Sequence, residues 1–161
     1  MSFRAMRRTR QELSRSETED ILRRGKTGVL AVHGDGGYPY AVPLNYVYKD
    51  GKIYFHCAKA GHKFDALARD GKVSFCVVDR DEVVPDEFAT YYKSAVVFGR
   101  ARLLEGEAVA RAAYDLGFKY NPVHEKVRAV VESDLPAVAC FEITIDHLTG
   151  KQAKGLLTEQ N

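Results

Sequence analysis

The sequence lacks the features that would assign the chain to a membrane, a disulfide scaffold or a nucleic acid. No apolar run approaches the roughly 20 residues that cross a bilayer, and the first twenty residues lack the apolar centre of a secretory signal. The three cysteines, Cys57, Cys76 and Cys140, are scattered without C-x-x-C spacing, which argues against a disulfide framework. The net charge is only +2, from 24 basic and 22 acidic side chains. We therefore expect a cytoplasmic protein without a membrane or nucleic-acid partner.

What remains is the composition of an ordinary globular protein, with 45% hydrophobic and 29% charged residues. A chain of 161 residues is long enough to bury one hydrophobic core without staples. We predict a single domain over residues 1–161, with a basic arm at 1–15 and a short tail at 156–161. The arginines of the arm, at positions 4, 7, 8 and 10, are expected to be solvated.

The middle of the chain is rich in β-branched and aromatic residues bounded by turn signals. Asp50-Gly51 separates two such runs and predicts a hairpin. Pro39 and Pro43 cannot donate to a sheet ladder, which favours an edge or an irregular strand there. About six strands are predicted, in TGVLAV, YPYAVPLNYVY, IYFHCA, KVSFCVV, YYKSAVVFGRARLLEG and PAVACFEITID. In the last of these, alternation divides Val138, Cys140, Glu142 and Thr144 from Ala139, Phe141, Ile143 and Ile145.

Helical patterns flank these strands. Ser16 and Glu19 have the spacing of a capping box, which predicts a helix over 17–24 that ends at Gly25. Three further helices are predicted in HKFDALAR, GEAVARAAYDLGFKY and HEKVRAVVES. The pattern as a whole is typical of a mainly β protein, an antiparallel six-stranded β-barrel with peripheral helices.

The stretch YFHCAKAGHKFDAL, residues 54–67, concentrates groups that suit a metal, a nucleophile or an anion. His56 and Cys57 are neighbours on a predicted strand and point to opposite faces, so we expect no metal site. Alternation places Cys57 with Ile53 and Phe55 on the face towards the core, which favours a buried, inert thiol over a nucleophile.

An anion fits the same stretch better. Gly61, His62 and Lys63 lie where a helix begins, and free N–H groups and the helix dipole favour a negative charge there. Lys63 adds a full positive charge, and a phosphate is the natural ligand. A helix cap with exposed basic residues explains these residues equally well on the sequence alone.

Five stretches together resemble one known family, and they occur in order from about residue 7 to residue 155. They are GVLAVHGDGGYPYAVPLNYVY, IYFHCAKAGHKFDAL, KVSFCVV, YYKSAVVFGRARLLEGEA and DHLTGK. They resemble the pyridoxamine 5′-phosphate oxidase-like flavin proteins and, more narrowly, the 5-nitroimidazole-resistance (Nim-type) flavoproteins. The resemblance implies a Greek-key split β-barrel that forms a homodimer, with FMN in each of two clefts at the subunit interface.

The resemblance also implies a set of cofactor-binding residues. His56 and Cys57 pass near the flavin ring and ribityl chain, and His62 and Lys63 hold the FMN phosphate. The oxidases carry Arg at the position of His62, so Lys63 is the stronger phosphate ligand. Two more contacts are Ser94, from the long strand of the partner subunit, and Lys151 in LTGK. The residues that run along the flavin ring are Val42, Pro43, Leu44 and Asn45.

One departure from the family bears on activity. The oxidases close their site with a tail that contains Trp and Arg, whereas this chain has no tryptophan. The resemblance therefore implies an FMN-dependent oxidoreductase other than a true pyridoxamine 5′-phosphate oxidase, in which transient NAD(P)H reduces a nitroaromatic or another small acceptor. His56 is the expected proton donor. The alternative is a non-catalytic flavin- or haem-binding carrier or sensor, with His56 or His62 as an axial ligand.

Overall fold

The structure, a computed structural model, describes residues 2–157, so the last part of the predicted tail lies outside the described residues. Within this range it contains seven strands and four α-helices. The strands are β1 (Thr27–His33), β2 (Pro39–Asn45), β3 (Val47–Lys49), β4 (Lys52–Ala58), β5 (Lys72–Val84), β6 (Ala89–Leu103) and β7 (Val138–Gln152). The helices are α1 (Arg15–Arg24), α2 (His62–Arg69), α3 (Glu107–Tyr120) and α4 (His124–Asp134). None of these helices is both long and apolar enough to span a bilayer.

All strand pairs are antiparallel and form one sheet in the order β2-β1-β5-β6-β7-β4-β3. This mixed α/β arrangement is consistent with the split-barrel fold. The strand β2, which carries Pro39 and Pro43, lies at an edge of the described sheet, as the two prolines predicted. Asp50 and Gly51 both have positive φ and form the turn of the predicted hairpin between β3 and β4.

The prediction of six strands was wrong because the stretch YPYAVPLNYVY is interrupted at Tyr46. The backbone N–H of Tyr46 donates to the hydroxyl of Tyr120 at 3.0 Å, and its carbonyl accepts from Nζ of Lys119 at 2.9 Å. These side chains replace the sheet partners of Tyr46, so β2 ends before it and β3 begins after it. The Tyr46 ring is fully buried, and its hydroxyl donates to the carbonyl of Leu22 at 2.8 Å.

The core lies inside the curved sheet. The rings of Tyr46 and Phe75 meet edge to face with centroids 4.9 Å apart, and Phe55 stacks on Phe141 at 5.5 Å. The alternation predicted for β7 is confirmed on its inner face, where Phe141 is buried. Cys140 and Glu142 on the other face are buried as well. Helix α3 covers that face, where Cys140 packs in a second small cluster with Leu104 and Ala112.

The capping box predicted at Ser16 and Glu19 was wrong by two residues. Ser14 precedes α1 and accepts a hydrogen bond from the backbone N–H of Glu17 at 3.2 Å, while a Glu17 carboxylate oxygen accepts from the N–H of Ser14 at 2.9 Å. Glu19 instead pairs with Arg15 one turn earlier. Both pairs have the required spacing, and the one that begins with Ser14 lengthens the helix by two residues.

Outward-pointing residues of β1, β5 and β6 form an apolar surface, which we call the outer sheet face. Register aligns Val29 with Cys76 and Cys76 with Val96. Val78 is 60% exposed at the edge of this face, where a register shift follows in β5. Phe98 continues the face along β6 and is also exposed. Phe3 of the arm stacks on Phe98 with ring centroids 5.7 Å apart, and no helix or strand within residues 2–157 covers the rest of this face.

The basic arm ends in a docked segment. The residues Thr9–Gln11 form a short 3-10 turn, and Glu12 bridges to Lys151 in β7. The next residue, Leu13, is buried, and its N–H donates to the carbonyl of Gly150 at 3.0 Å. The arginines at 4, 7, 8 and 10 are exposed, as predicted. The end of the arm is therefore fixed against β7, although its arginines face solvent.

Candidate functional site

The site begins at the N-terminus of α2, which follows β4 after a tight turn. Gly61 caps the helix with φ of 102°, a conformation that strongly favours glycine, and no side chain caps the free N–H groups. The first backbone bond of the helix runs from Asp65 N–H to the Gly61 carbonyl at 3.0 Å. The N–H groups of His62, Lys63 and Phe64 therefore point out of the helix end. A Cβ built on Gly61 would meet no described atom within 4 Å, so there is room for an anion.

The two basic residues at this helix end are held differently. Nε2 of His62 accepts a hydrogen bond from the backbone N–H of Asp35 at 3.1 Å, and the imidazole stacks on Tyr40 with centroids 4.2 Å apart. One Asp35 carboxylate oxygen also lies 3.7 Å from Nε2. Lys63 has no carboxylate partner within residues 2–157. The structure thus leaves Lys63 as the available cation and uses His62 to fix the turn after β1.

His56 lies six residues before His62, on β4, and is paired with Cys140 of β7. Its imidazole opens into a cleft of about 460 Å³ between the sheet and the helices α3 and α4. Much of its surface is exposed, yet the walls of the cleft displace part of its hydration. This burial, together with the charge of Lys63, lowers the pKa of His56 below 6.5, while Asp134 acts in the opposite direction. His56 is therefore neutral near pH 7.

The cleft combines an apolar wall with polar groups at its mouth. Asn45 at the end of β2 lines it, and the amide of Asn45 donates to the carbonyl of Lys26 at 3.0 Å. Tyr120 at the end of α3 and Asp134 at the end of α4 complete the polar rim. The apolar lining comes mainly from Leu116, Val127, Val130, Val131 and Leu135. Such a cleft suits a small molecule with one polar end.

Only half of the predicted β2 segment faces outward. Val42 and Leu44 pack against the core, whereas Pro43 and Asn45 are exposed. Because successive side chains of a strand point to opposite faces, Pro43 and Asn45 are the pair that can contact a ligand through their side chains. Of the four residues, the structure brings Asn45 into the cleft of His56.

Cys57 behaves as predicted from alternation. It is half-buried against the core cluster, and burial raises the pKa of its thiol, which leaves it protonated and unreactive near pH 7. Within residues 2–157 no group of three or more His, Cys, Asp or Glu side chains is arranged to hold a metal ion.

Ser94 and Lys151 lie apart from the α2 terminus. They face each other across β6 and β7, and Nζ of Lys151 lies 5.5 Å from the centroid of the Tyr92 ring. His56 pairs with Cys140, near the start of β7, and Lys151 lies eleven positions further along that strand. The path along the strand is roughly 36 Å at about 3.3 Å per residue. Ser94 and Lys151 therefore lie at the opposite end of β7 from His56.

Sequence reasoning missed the contribution of α3 and α4. Tyr120 and Asp134, which are remote in sequence from His56, reach the cleft only because the two helices form a hairpin over β4. Gly117 permits this hairpin, since a Cβ there would lie 2.4 Å from Cγ1 of Val127. One signal was present in the sequence: α4 carries three valines, Val127, Val130 and Val131, and all three line the cleft, where Val130 remains exposed.

Comparisons with known proteins bear on this architecture. At 21% identity the chain is similar to a candidate 5-nitroimidazole antibiotic resistance protein from Bacteroides thetaiotaomicron, with a TM-score of 0.73 over 88% of this chain and 86% of that one. An FAD-binding protein from Mesorhizobium loti is 25% identical, with a TM-score of 0.63 over 89% and 98% of the two chains. An FAD- and haem-binding protein from Mycobacterium smegmatis is 22% identical, with a TM-score of 0.75 over 90% and 74%. No curated protein sequence matches the chain.

A family model described as pyridoxamine 5′-phosphate oxidase matches residues 14–152, from the cap of α1 to the end of β7. The match covers most of the chain and all seven strands. It agrees with the family resemblance of the motifs around His56 and Lys63. The protein therefore belongs to the pyridoxamine 5′-phosphate oxidase-like family.

Proposed function

We propose that the protein binds FMN and acts as an NAD(P)H-dependent reductase of nitroaromatic or other small acceptors. The observation that carries this proposal is the continuous segment from His56 to Lys63. It joins a cleft for a small molecule to an uncapped helix terminus with an available cation. The membership of the flavoprotein-rich family and the flavin-binding relatives support the same conclusion.

The residues at the α2 terminus fit a phosphate monoester. Three outward N–H groups and Nζ of Lys63 supply donors and positive charge, and Gly61 leaves the approach open. Neither Lys63 nor the helix end is satisfied by a carboxylate of the described chain. The FMN phosphate would bind here, with the isoalloxazine ring towards Pro43, Asn45 and the end of β4.

We further infer that the protein is a homodimer. The outer sheet face is apolar over three strands, and within residues 2–157 no helix or strand packs on it, although Phe3 of the arm stacks on Phe98. Ser94 lies on this face beside Val78, so a second copy packed on it would bring Ser94 and Lys151 towards the first copy's cleft. The turn between β5 and β6 also projects Phe88, which is 100% exposed. Surfaces of this kind on a soluble domain favour an obligate partner.

In this function His56 orients the acceptor and supplies a proton to it. The flavin, when bound, supplies the electron transfer between NAD(P)H and the acceptor. A neutral imidazole donates one N–H to a nitro or carbonyl oxygen, and a bound phosphate that offsets the charge of Lys63 would raise the pKa of His56 and favour its protonation. The apolar wall formed by α3 and α4 excludes water from the acceptor.

The chain's lack of tryptophan weighs against oxidation of pyridoxamine 5′-phosphate itself, because the oxidases carry tryptophan among the residues that close their site. FAD in place of FMN would place its additional nucleotide beyond the phosphate at Lys63. The relatives described as FAD-binding make this the principal variation on the proposal.

The test begins with the visible spectrum of the purified protein, before and after addition of FMN. Flavin absorption, with FMN identified by mass after denaturation, is the expected result. The oxidation of NADPH or NADH should then accelerate on addition of a 5-nitroimidazole, and should not accelerate with an imidazole that lacks the nitro group. A protein that retains no FMN or FAD at micromolar concentrations would contradict the proposal.

A haem-binding carrier is the second candidate, and the exposed imidazole of His56 favours it. His62 is the weaker axial ligand, because its Nε2 already accepts from Asp35. The same spectrum decides between the candidates, since a Soret band that disappears in the variant His56→Ala would establish haem ligation by His56.

A further inference from the structure

A basic cleft lies near the opposite end of β7 from His56. It is formed by the arm residues 7–11 together with Lys154 and Leu157, and it has a volume of about 740 Å³. We call it the arm cleft. Its cationic residues are Arg7, Arg8, Arg10 and Lys154. The flavin site proposed above does not use any of them.

Within residues 2–157 the four cations of the arm cleft have no carboxylate partner. Seven arginines elsewhere form ion pairs with Asp or Glu side chains. Within residues 2–157, no ion pair or hydrogen bond engages the side chains of Arg7, Arg8, Arg10 or Lys154. Four unneutralised cations around one cavity create a positive potential that suits a multiply charged anion.

A second observation points independently to a ligand. Gln11 lines the cleft and is only 6% exposed, yet its Oε1 has no hydrogen-bond donor among the described residues. Gln152 is 4% exposed, and its Oε1 is also without a donor there. Because Glu12 pairs with Lys151 in antiparallel register, Gln11 lies beside Gln152. Buried amide oxygens are rarely left unpaired, so two adjacent ones indicate a missing N–H donor.

These groups together fit a phosphorylated nucleotide. Phosphates match the arginine side chains, which bind them through paired N–H groups. The amino group of adenine is an N–H donor of the kind that Oε1 of Gln11 lacks. An inorganic anion would satisfy the arginines and leave Oε1 of Gln11 unpaired.

We propose that the arm cleft binds the adenosine phosphate end of the reduced nicotinamide dinucleotide and selects NADPH over NADH. This inference rests on the proposed reductase function, which requires such a donor. Glu12, the residue after Gln11, bridges to Lys151, the residue assigned to the flavin site, so the arm cleft lies close to that site. The 2′-phosphate of NADPH adds charge that a cleft with four free cations can pair, and arginine is the residue that typically accepts it.

The test is calorimetric titration of the full-length protein with NADP⁺ and NAD⁺ at low salt. We expect NADP⁺ to bind about tenfold or more tightly than NAD⁺, since its 2′-phosphate adds charged hydrogen bonds to arginine side chains. The triple variant Arg7→Ala/Arg8→Ala/Arg10→Ala should lose this preference. Arg4→Ala is the matched control, because Arg4 belongs to the same arm and does not line the cleft. It should leave both affinities unchanged.

A second variant tests the glutamine. Gln11→Leu keeps the volume and removes the amide, so it should weaken NADP⁺ and NAD⁺ alike, by about three- to tenfold, without changing the preference. If Gln11→Leu binds both nucleotides with unaltered affinity, the adenine does not bind in the arm cleft. Equal binding of NADP⁺ and NAD⁺ to the native protein, or a preserved preference in the triple variant, would overturn the proposal.

The flavin content distinguishes this inference from the proposed function. If the triple variant retains FMN and oxidises NADPH in the presence of acceptor with an unchanged KM, the arm cleft is not the NADPH site and the reductase stands. If the native protein binds no flavin yet shows an arginine-dependent preference for NADP⁺, the reductase fails and the cleft remains a nucleotide site.

Discussion

His62 stacks on Tyr40 with ring centroids 4.2 Å apart, while its Nε2 accepts the backbone N–H of Asp35 at 3.1 Å. This pair of contacts ties the first residue of α2 to the loop between β1 and β2. The family resemblance assigns the His62 imidazole to the phosphate. Its ring face, however, is stacked on Tyr40, and its Nε2 is already hydrogen-bonded to Asp35. Lys63 and the free N–H groups beside it are therefore the groups left to bind a phosphate.

Replacement of Lys63 should separate these roles. We expect Lys63→Ala to weaken FMN binding by about tenfold or more, because it removes a charged hydrogen bond to the phosphate. His62→Gln keeps a side-chain oxygen that can accept from Asp35, and it should change FMN affinity by less than about threefold. Fluorescence titration of the apoprotein with FMN measures both. Equal losses in the two variants would mean that His62 contacts the phosphate itself.

The titration of His56 provides a test that does not depend on turnover. Nuclear magnetic resonance should give a pKa below 6.5, because burial and Lys63 both disfavour the imidazolium. Lys63→Ala should raise this pKa, and Asp134→Asn should lower it further. Since the folded state favours neutral His56, its contribution to stability is present above pH 6.5 and is lost as the pH falls through the lowered pKa.

The same residue can be tested in turnover. His56→Ala should lower kcat for the nitroaromatic acceptor while FMN affinity changes little, since the phosphate contacts remain. Val123→Ala, an exposed change outside the cleft, serves as the control. If His56→Ala leaves kcat and acceptor KM unchanged, the catalytic role of His56 is wrong.

Lys119 predicts a pH dependence of stability. Its Nζ donates to the carbonyls of Gly25 and Tyr46, and burial lowers its pKa from 10.5 to about 8. Between these values the unfolded chain binds a proton that the folded chain has released, so the free energy of unfolding should rise as the pH increases from about 8 to 9.5. Urea unfolding across this range should show the rise in the native protein. The rise should be absent in Lys119→Met, which should also be less stable by about 1 to 3 kcal/mol at pH 7.

The outer sheet face predicts a variant that separates the subunits. Val78→Asp places a charge where the second copy would pack, and it should convert a dimer to a folded monomer in sedimentation velocity. Because Val78 is already 60% exposed in the single chain, the melting of the monomer should change little. Val123→Asp is the control, since Val123 is exposed elsewhere. A native protein that sediments as a monomer at micromolar concentration would contradict the homodimer.

The sequence predicted the order of the strands along the chain, the hairpin at Asp50-Gly51 and the helix that begins at His62, because each rests on local backbone chemistry. The two errors arose where side chains from distant elements decide the outcome. The strand breaks at Tyr46 because Lys119 and Tyr120 capture its backbone groups. The capping box of α1 lies at Ser14 and not at Ser16. Two pairs of residues in this stretch have the required spacing, and only the observed start of the helix distinguishes them.

The candidate site likewise has one part that the sequence predicted and another that it did not. The α2 terminus and the inner position of Cys57 followed from residues close in sequence. The cleft at His56 did not, since Asp134 lies 78 residues away and arrives through the packing of α4 on α3. The arm cleft could not be predicted from the sequence either. The arginines were visible as a charge run, but the buried pair Gln11 and Gln152 exists only once the arm docks on β7.

His56, on the strand that leads to Lys63, lies at the opposite end of β7 from Lys151, and this has a consequence for mixed assemblies. In the proposed dimer each pocket takes Lys63 from one polypeptide and Lys151 from the other. The variants Lys63→Ala and Lys151→Ala, each of which should weaken FMN binding, would then complement each other on mixing, because one pocket of each hybrid dimer would be intact and the other doubly deficient. Co-expression of the two mutants should restore up to one native pocket per hybrid dimer.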